Sequence, residues 1–248
     1  MSATLVLQSH RQPLPFPWLA PCLASVRHWA QAQGYEYRFI SDELFDNLPP
    51  DIAGKPQLAL VVRTDLARLL ALRAALDEGY ETVVWCDADT VCFAPGALAL
   101  PDTDFALGRE VWIQRGAGDA LRAYVKVHNA FLLFRRDNSF LDFYLGAATR
   151  LLRALDGPCV PQFIGPKFLT AVHNLALCPV AESAGMLSPL VVADLLRGGG
   201  PALEMFQRRS TRPVAMANVC ASLAATGELA PDDAAAAVTL LLDRAEPL

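Results

Sequence analysis

The sequence predicts a three-layer α/β sandwich built as a single domain over residues 1–248. Three observations lead there. Strand-like apolar runs alternate with helix-like segments along the chain. One run, residues 82–86, is wholly apolar or β-branched and ends at Asp87, the pattern of a strand covered on both faces. Of the 248 residues, 53% are hydrophobic, which is enough for a substantial core.

The elements follow in order. Residues 3–8 form a first strand. Pro13, Pro15 and Pro17 then hold an extended loop, because each ring fixes φ and disfavours helix before it. Residues 19–33 read as a helix that stops at Gly34, followed by a strand over 35–40 and a turn over 49–54. From 57 to 76 the chain is rich in Leu, Ala and Arg; Leu66, Leu69, Leu70 and Leu76 recur at helical spacing before Gly79. After the strand 82–86 come strands over 105–109 and 130–134, with helices over 140–155 and 167–174. The Ala- and Leu-rich tail, 232–245, reads as a closing helix. No internal repeat is present.

Charge and hydropathy exclude several partners. The formal net charge is −5 and the isoelectric point is near 5.4, with no basic face, which argues against nucleic acid. Mean hydropathy is positive, yet Arg, Asp, Pro or Gly interrupts every apolar stretch short of the roughly 18 residues a membrane span needs. The first residues carry no basic leader, so they read as a strand rather than a signal peptide. The six cysteines show no Cys-x-x-Cys spacing and lie mostly in apolar runs, which predicts buried thiols in a cytoplasmic protein, with room for peripheral association with the inner membrane.

The segment most informative about chemistry is Val83 to Thr90, Val-Val-Trp-Cys-Asp-Ala-Asp-Thr. A buried strand ends and two carboxylates follow, Asp87 and Asp89, separated by a small alanine. In open α/β sheets, ligands bind beyond the carboxyl ends of the strands. Two carboxylates so close together favour a cation, and all-oxygen donors suit Mn²⁺ or Mg²⁺ shared with substrate phosphates. The ordinary alternative is an acidic pair that only ends a strand. Arg63, Asp65 and Arg68 lie on the preceding helix, with Asp65 and Arg68 three apart and so on one face. A carboxylate accepts from sugar hydroxyls, and a guanidinium donates to hydroxyls or phosphate oxygens. A surface ion pair is the bland reading of the same pattern.

Arg-Thr-Asp-Leu-Ala-Arg, followed about twenty residues later by Trp-Cys-Asp-Ala-Asp, resembles the GT-A glycosyltransferases whose sugar-binding region contains a DxD motif. That group includes capsular-polysaccharide and mannosyl transferases and toxin glucosyltransferases. Asp65, Arg68, Asp87 and Asp89 match its pattern position by position. His-Asn-Ala-Phe-Leu-Leu-Phe, from His128, resembles its strand beginning Asn-Ala, and Ile-Gly-Pro-Lys-Phe-Leu-Thr, from Ile164, resembles its Gly-Pro helix start. The resemblance covers about residues 62–170.

The resemblance implies a GT-A-like, Rossmann-type fold with a central mixed sheet. It also implies a metal-dependent glycosyltransferase, hexosyl transfer being the natural class. The donor would be a nucleotide sugar, and the acceptor a sugar, glycolipid or protein, as in polysaccharide biosynthesis. The resemblance further implies retention of anomeric configuration, since relatives with this helix-plus-DxD arrangement are mostly retaining; no general base is placed by motif. In this reading Asp87 and Asp89 hold Mn²⁺ or Mg²⁺, and Asn129 lies near the donor sugar. Arg63, Asp65, Arg68, Gln162 and Gly165 bind the donor. Relatives often carry a late histidine on the metal; here the last histidine is His173, and Asn218 is the available late oxygen ligand. His128 and His173 read as local hydrogen-bonding residues. Acceptor recognition is expected from the Pro13–Trp18 loop and the Arg109–Tyr124 segment, with Trp18, Trp112 and Tyr124 as candidate stacking rings.

Two rival functions fit parts of the same sequence. Asp-Ala-Asp-Thr after an apolar strand also suits a haloacid dehalogenase-like phosphatase, with Asp87 as nucleophile, Asp89 as acid/base and Asp232–Asp233 as the late acidic pair. A non-catalytic module that keeps a nucleotide-sugar fold for binding is the other.

Overall fold

The computed structural model describes residues 3–248. In its first half, β1 (Thr4–Ser9) leads to α1 (Leu19–Ala32), β2 (Glu36–Ile40), the short α2 (Pro50–Ala53), α3 (Leu60–Asp77), β3 (Thr82–Cys86) and β4 (Thr90–Cys92). A long hairpin of β5 (Phe105–Arg115) and β6 (Leu121–Arg135) follows, then α4 (Ser139–Ala154) and α5 (Pro166–Ala176). The remainder is β7 (Val180–Ala181), β8 (Ala184–Met186), α6 (Pro189–Leu196), α7 (Pro201–Arg209), β9 (Met216–Asn218), α8 (Ala221–Thr226) and α9 (Pro231–Arg244).

Six strands make the central sheet in the order β2-β1-β3-β6-β5-β7. It is mixed: β6 runs antiparallel to both neighbours, while β1 pairs in parallel with β2 and β3, and β5 with β7. Side chains alternate across it. Val6, Val84 and Cys86 enter one apolar layer with Trp29 of α1, Phe206 of α7 and Val238 of α9. Leu5, Leu7, Val83 and Trp85 enter the other with Leu66 and Leu69 of α3 and Tyr144 of α4. Burial on both faces explains why β3 reads as an unbroken apolar run. The expected three-layer sandwich with a central mixed sheet is thus what the chain forms.

A smaller sheet, β4-β9-β8, lies beside the end of β3. It joins Thr90 to Asn218, so the chain just after Asp89 is stitched to its late part. Where 105–109 and 130–134 read as short strands, the hairpin is far longer. It carries a bulge between Leu107 and Gly108, and its outer half includes exposed Tyr124, Val125 and Lys126. Charged residues there interrupt the apolar alternation, which hides the strands from a pattern search. All six cysteines are free thiols, five of them buried. Among the described residues, no helix is long and apolar enough to cross a membrane.

Candidate active site

β1 and β3 run in parallel, so their carboxyl ends open on the same side of the sheet. There the chain leaves β3 and turns: the Thr90 N–H donates to the Asp87 carbonyl at 3.0 Å, and the Asp87 N–H donates to the Ala130 carbonyl of β6 at 2.8 Å. This turn presents both carboxylates. They line a cavity of about 160 Å³ together with Ser9 and His10 from the end of β1 and Thr64 and Arg68 from α3. The position matches the rule that ligands bind beyond the carboxyl ends of strands in open α/β sheets.

Arg68 is the hub. It is only 4% exposed, and its guanidinium lies 3.1 Å from Asp87 Oδ1 and 3.4 Å from Asp65 Oδ1. A third interaction, Nη1 to the Asn129 carbonyl at 2.6 Å, and the face of Trp85 at 5.2 Å fix its plane. Burial works against its charge, but Asp87 and Asp65 outweigh that and hold it protonated. Asp65 itself is 3% exposed and also accepts from Asn129 Nδ2 at 2.8 Å. The pair is therefore no surface ion pair. It occupies the apolar stripe of α3 that also buries Val62, Leu66, Leu69 and Leu72.

Gly165 closes this cluster from above. A Cβ there would sit 2.6 Å from Asp65 Oδ2 and 2.8 Å from Asn129 Nδ2, so only glycine lets the start of α5 approach so closely. Asp65 and Asn129 are consequently packed beneath the cavity wall, and Arg68 carries their orientation to the cavity.

Asp89 is held differently. Its Oδ2 accepts from the Ala221 N–H at 2.6 Å and its Oδ1 from Asn218 Nδ2 at 2.5 Å. The Asn218 oxygen accepts from the Cys220 N–H at 2.8 Å, which fixes the amide so that nitrogen faces Asp89. Asn218 thus positions Asp89 rather than presenting a free oxygen to a ligand. Asp87 Oδ1 accepts from Trp85 Nε1 at 2.6 Å, while its other oxygen meets no protein donor among the described residues.

Electrostatics at this spot are unbalanced. Three carboxylates, Asp65, Asp87 and Asp89, surround one guanidinium, which leaves two negative charges when all are ionised. Burial and the neighbouring Asp87 push Asp89 up to about 6. Burial pushes Asp65 to about 6 as well, against the opposing pull of Arg68 and Asn129. No group of three or more His, Cys, Asp and Glu side chains among the described residues forms a complete cage for a metal ion. Two hard carboxylates facing solvent-accessible space are nevertheless the donor set with which Mg²⁺ and Mn²⁺ bind substrate phosphates, water completing the shell.

Of the residues expected to bind donor, Arg68, Asp87 and Asp89 meet in the cavity, and Asp65, Asn129 and Gly165 form the layer supporting them. Arg63 points elsewhere, donating to the Lys55 carbonyl at 2.8 Å, and Gln162 is exposed in the turn before α5. Trp18 is a core residue, 5% exposed and stacked on Phe16. Asp232 and Asp233 are exposed in the first turn of α9 and do not line the cavity. Gln8, which donates to the Asp87 carbonyl at 3.1 Å, was not singled out by the sequence patterns. Its signal is a polar residue at the last inward position of an apolar strand.

His128, next to Asn129, is structural. Its ring accepts from the Ala130 N–H at 3.1 Å, contacts the Ala184 carbonyl at 3.2 Å and fills the space left by Gly108, where a Cβ would overlap it. Burial lowers its pKa to about 4. An unfolded histidine titrates near 6.5, so acid favours the unfolded chain between about pH 6.5 and 4. Wild type should lose about 3 kcal/mol across that window relative to His128→Gln, measured by urea unfolding at several pH values. A constant difference between the two proteins contradicts this assignment.

No family model matches the chain, and no curated protein matches it. Solved structures do. A glycosyltransferase involved in glycosylation of the major capsid of PBCV-1 superposes with a TM-score of 0.53 at 9% identity, covering 96% of this chain and 99% of its own. Mouse xyloside xylosyltransferase 1 gives a TM-score of 0.46 at 12% identity over 88% of this chain and 98% of its own. The galactosyltransferase LgtC, solved with donor and acceptor sugar analogues, gives 0.43 at 14% identity over 88% and 87%. The first of these carries the comparison, and with the mixed six-stranded sheet it shows that the chain has the GT-A glycosyltransferase fold.

Proposed function

We propose that the chain is a glycosyltransferase that takes a sugar from a nucleotide-sugar donor in this cavity, with Asp87 and Asp89 holding Mn²⁺ or Mg²⁺. The observation that carries the reading is the convergence of Asp87, Asp89 and Arg68 on one cavity at the carboxyl ends of β1 and β3. The uncompensated negative charge there is what a divalent cation neutralises, and when bound it offsets the charge of a departing diphosphate.

The side chains divide the remaining work. Arg68, locked by Asp65, Asp87 and the Asn129 carbonyl, presents a charge that needs no reorganisation during reaction. Its free surface faces the cavity, where a leaving phosphate oxygen would be met. Asn218 and the Ala221 N–H keep Asp89 from swinging away. Among the described residues that line the cavity, the carboxylates are Asp87 and Asp89, assigned here to the cation, and the one imidazole is His10, whose Nδ1 lies 3.1 Å from the Arg11 carbonyl. In a same-face displacement with retention, the bond to the diphosphate breaks as the acceptor oxygen bonds the anomeric carbon, and the acceptor's hydroxyl proton passes to the departing phosphate oxygen, so no separate base is needed. The acceptor we infer is a sugar, glycolipid or protein hydroxyl.

A thermal-shift panel of UDP-, GDP- and dTDP-sugars with Mn²⁺ tests the binding half of this reading. One donor should raise the melting temperature in the presence of Mn²⁺, because a ligand of the native state alone adds RT ln(1 + [L]/Kd) to stability. No shift with any nucleotide sugar, together with phosphate release from p-nitrophenyl phosphate in Mg²⁺, would favour the phosphatase alternative instead.

A further inference from the structure

Along β1 the side chains alternate between the two apolar layers, with Leu5 and Leu7 in one and Val6 in the other. The next position on the Val6 face is Gln8, and it is fully buried. A primary amide in such a place must find partners for both ends, and it does. Its Nε2 donates to the Asp87 carbonyl at 3.1 Å, and its Oε1 accepts from the Tyr37 hydroxyl at 3.1 Å. Chemistry fixes the direction of this chain. A carbonyl only accepts, so the amide nitrogen must face Asp87; the amide oxygen is then left for Tyr37, whose hydroxyl must donate. Tyr37 pairs with Val6 in the β1–β2 register, which places its ring on the same face. Burial pushes its phenol up to about 12, so the proton stays on.

The carbonyl that Gln8 grips is the one that also closes the Asp87-to-Thr90 turn. The β1–β3 ladder has its last pair at Leu7 and Trp85. Beyond that pair, the Gln8 side chain is a tie between β1 and the turn that carries both carboxylates.

We propose that Gln8 and Tyr37 are positioning residues, a hydrogen-bond relay from β2 through β1 that fixes the Asp87 carbonyl and so sets the placement of the Asp87 and Asp89 carboxylates for a divalent cation. The proposal rests on the reading of this cavity as a cation site. Neither residue touches the cation or the substrate. Both act through the turn, as outer partners of metal ligands do elsewhere.

The test titrates the whole protein with Mn²⁺ alone and follows the loss of the free-ion electron paramagnetic resonance signal. Four proteins are compared: wild type, Tyr37→Phe, Gln8→Met and the double variant. Gln8→Met should raise the Mn²⁺ dissociation constant by about 10- to 100-fold and Tyr37→Phe by about tenfold. The double variant should be no worse than Gln8→Met, because the relay is already broken. Tyr37→Phe leaves the buried Gln8 oxygen without its donor, so its melting temperature should fall by a few degrees while the fold is kept. If Gln8→Met fails to fold, Tyr37→Phe decides alone. Wild-type Mn²⁺ affinity in the variants overturns the relay while leaving the cation site standing. Losses that add and track the melting temperature also overturn it, because they describe packing. A wild-type protein that takes up no Mn²⁺ overturns the cation site and the relay together.

Discussion

Arg68→Met should destabilise the protein by about 3–5 kcal/mol at pH 7, the cost of removing one partner from a buried charge cluster. That is a large share of a stability of about 5–15 kcal/mol. Methionine keeps much of the packing against Trp85, so the loss isolates the charge. Without Arg68, the buried Asp65 keeps only the Asn129 amide among its opposing groups. The sign of the pH dependence follows. Burial already holds the Asp65 carboxyl above its unfolded value, at about 6, and Arg68 pulls it down. An aspartate whose folded pKa is raised penalises the fold when ionised, so its penalty grows as pH rises from about 4 through the folded pKa and fades on acidification. Removing Arg68 raises that pKa further. The deficit of Arg68→Met should therefore be largest near pH 7 and shrink by pH 5, as read from urea unfolding at both. A deficit below about 1 kcal/mol at pH 7, the size of an exposed ion pair, would contradict the buried hub.

Asp87→Asn is expected to fold and to lose function. The side chain is 26% exposed, and an asparagine oxygen can still accept from Trp85 Nε1. Stability should therefore change little beside Arg68→Met. Charge is another matter: the substitution removes one of the two carboxylates facing the cavity and the carboxylate nearest Arg68. Cation-dependent turnover of a nucleotide sugar should fall by at least about 100-fold, equivalent to about 2.7 kcal/mol of lost transition-state stabilisation. Asp89→Ala is the less clean experiment. Asp89 also accepts from the Ala221 N–H at the start of α8 and from Asn218, so its loss disturbs structure as well as charge. Normal turnover by Asp87→Asn, with the same Mn²⁺ dependence as wild type, would remove Asp87 from the mechanism.

The parts of this site that were legible in the sequence are those written in local pattern. β3 is a short apolar run because both of its faces are covered, and the two aspartates follow it directly. Asp65 and Arg68 share a face because a helix repeats every 3.6 residues. What their spacing does not carry is depth: the same pair on an exposed face would read identically, and its burial comes from tertiary packing, with Asn129 and Gly165 against Asp65 and Trp85 against Arg68. The contacts that settle Asp89 join residues 129 and 132 positions apart. They depend on β4 pairing with β9, two strands of three residues each, too short to leave a periodic signal. Gln8 illustrates a weaker but usable cue. An amide at an inward strand position requires hydrogen-bond partners, though the sequence names neither of them.

Catalysis in this cavity should be visible as donor hydrolysis without acceptor, since water entering it should intercept the polarised anomeric carbon. The purified protein is incubated with UDP-, GDP- and dTDP-sugars and Mn²⁺, and free sugar and nucleoside diphosphate are quantified. Slow release of both from one donor class is expected, arrested by EDTA, restored by Mn²⁺ or Mg²⁺, and lost in Asp87→Asn. Demonstrated binding of a nucleotide sugar with no released sugar across the whole panel would contradict catalysis and leave a binding module.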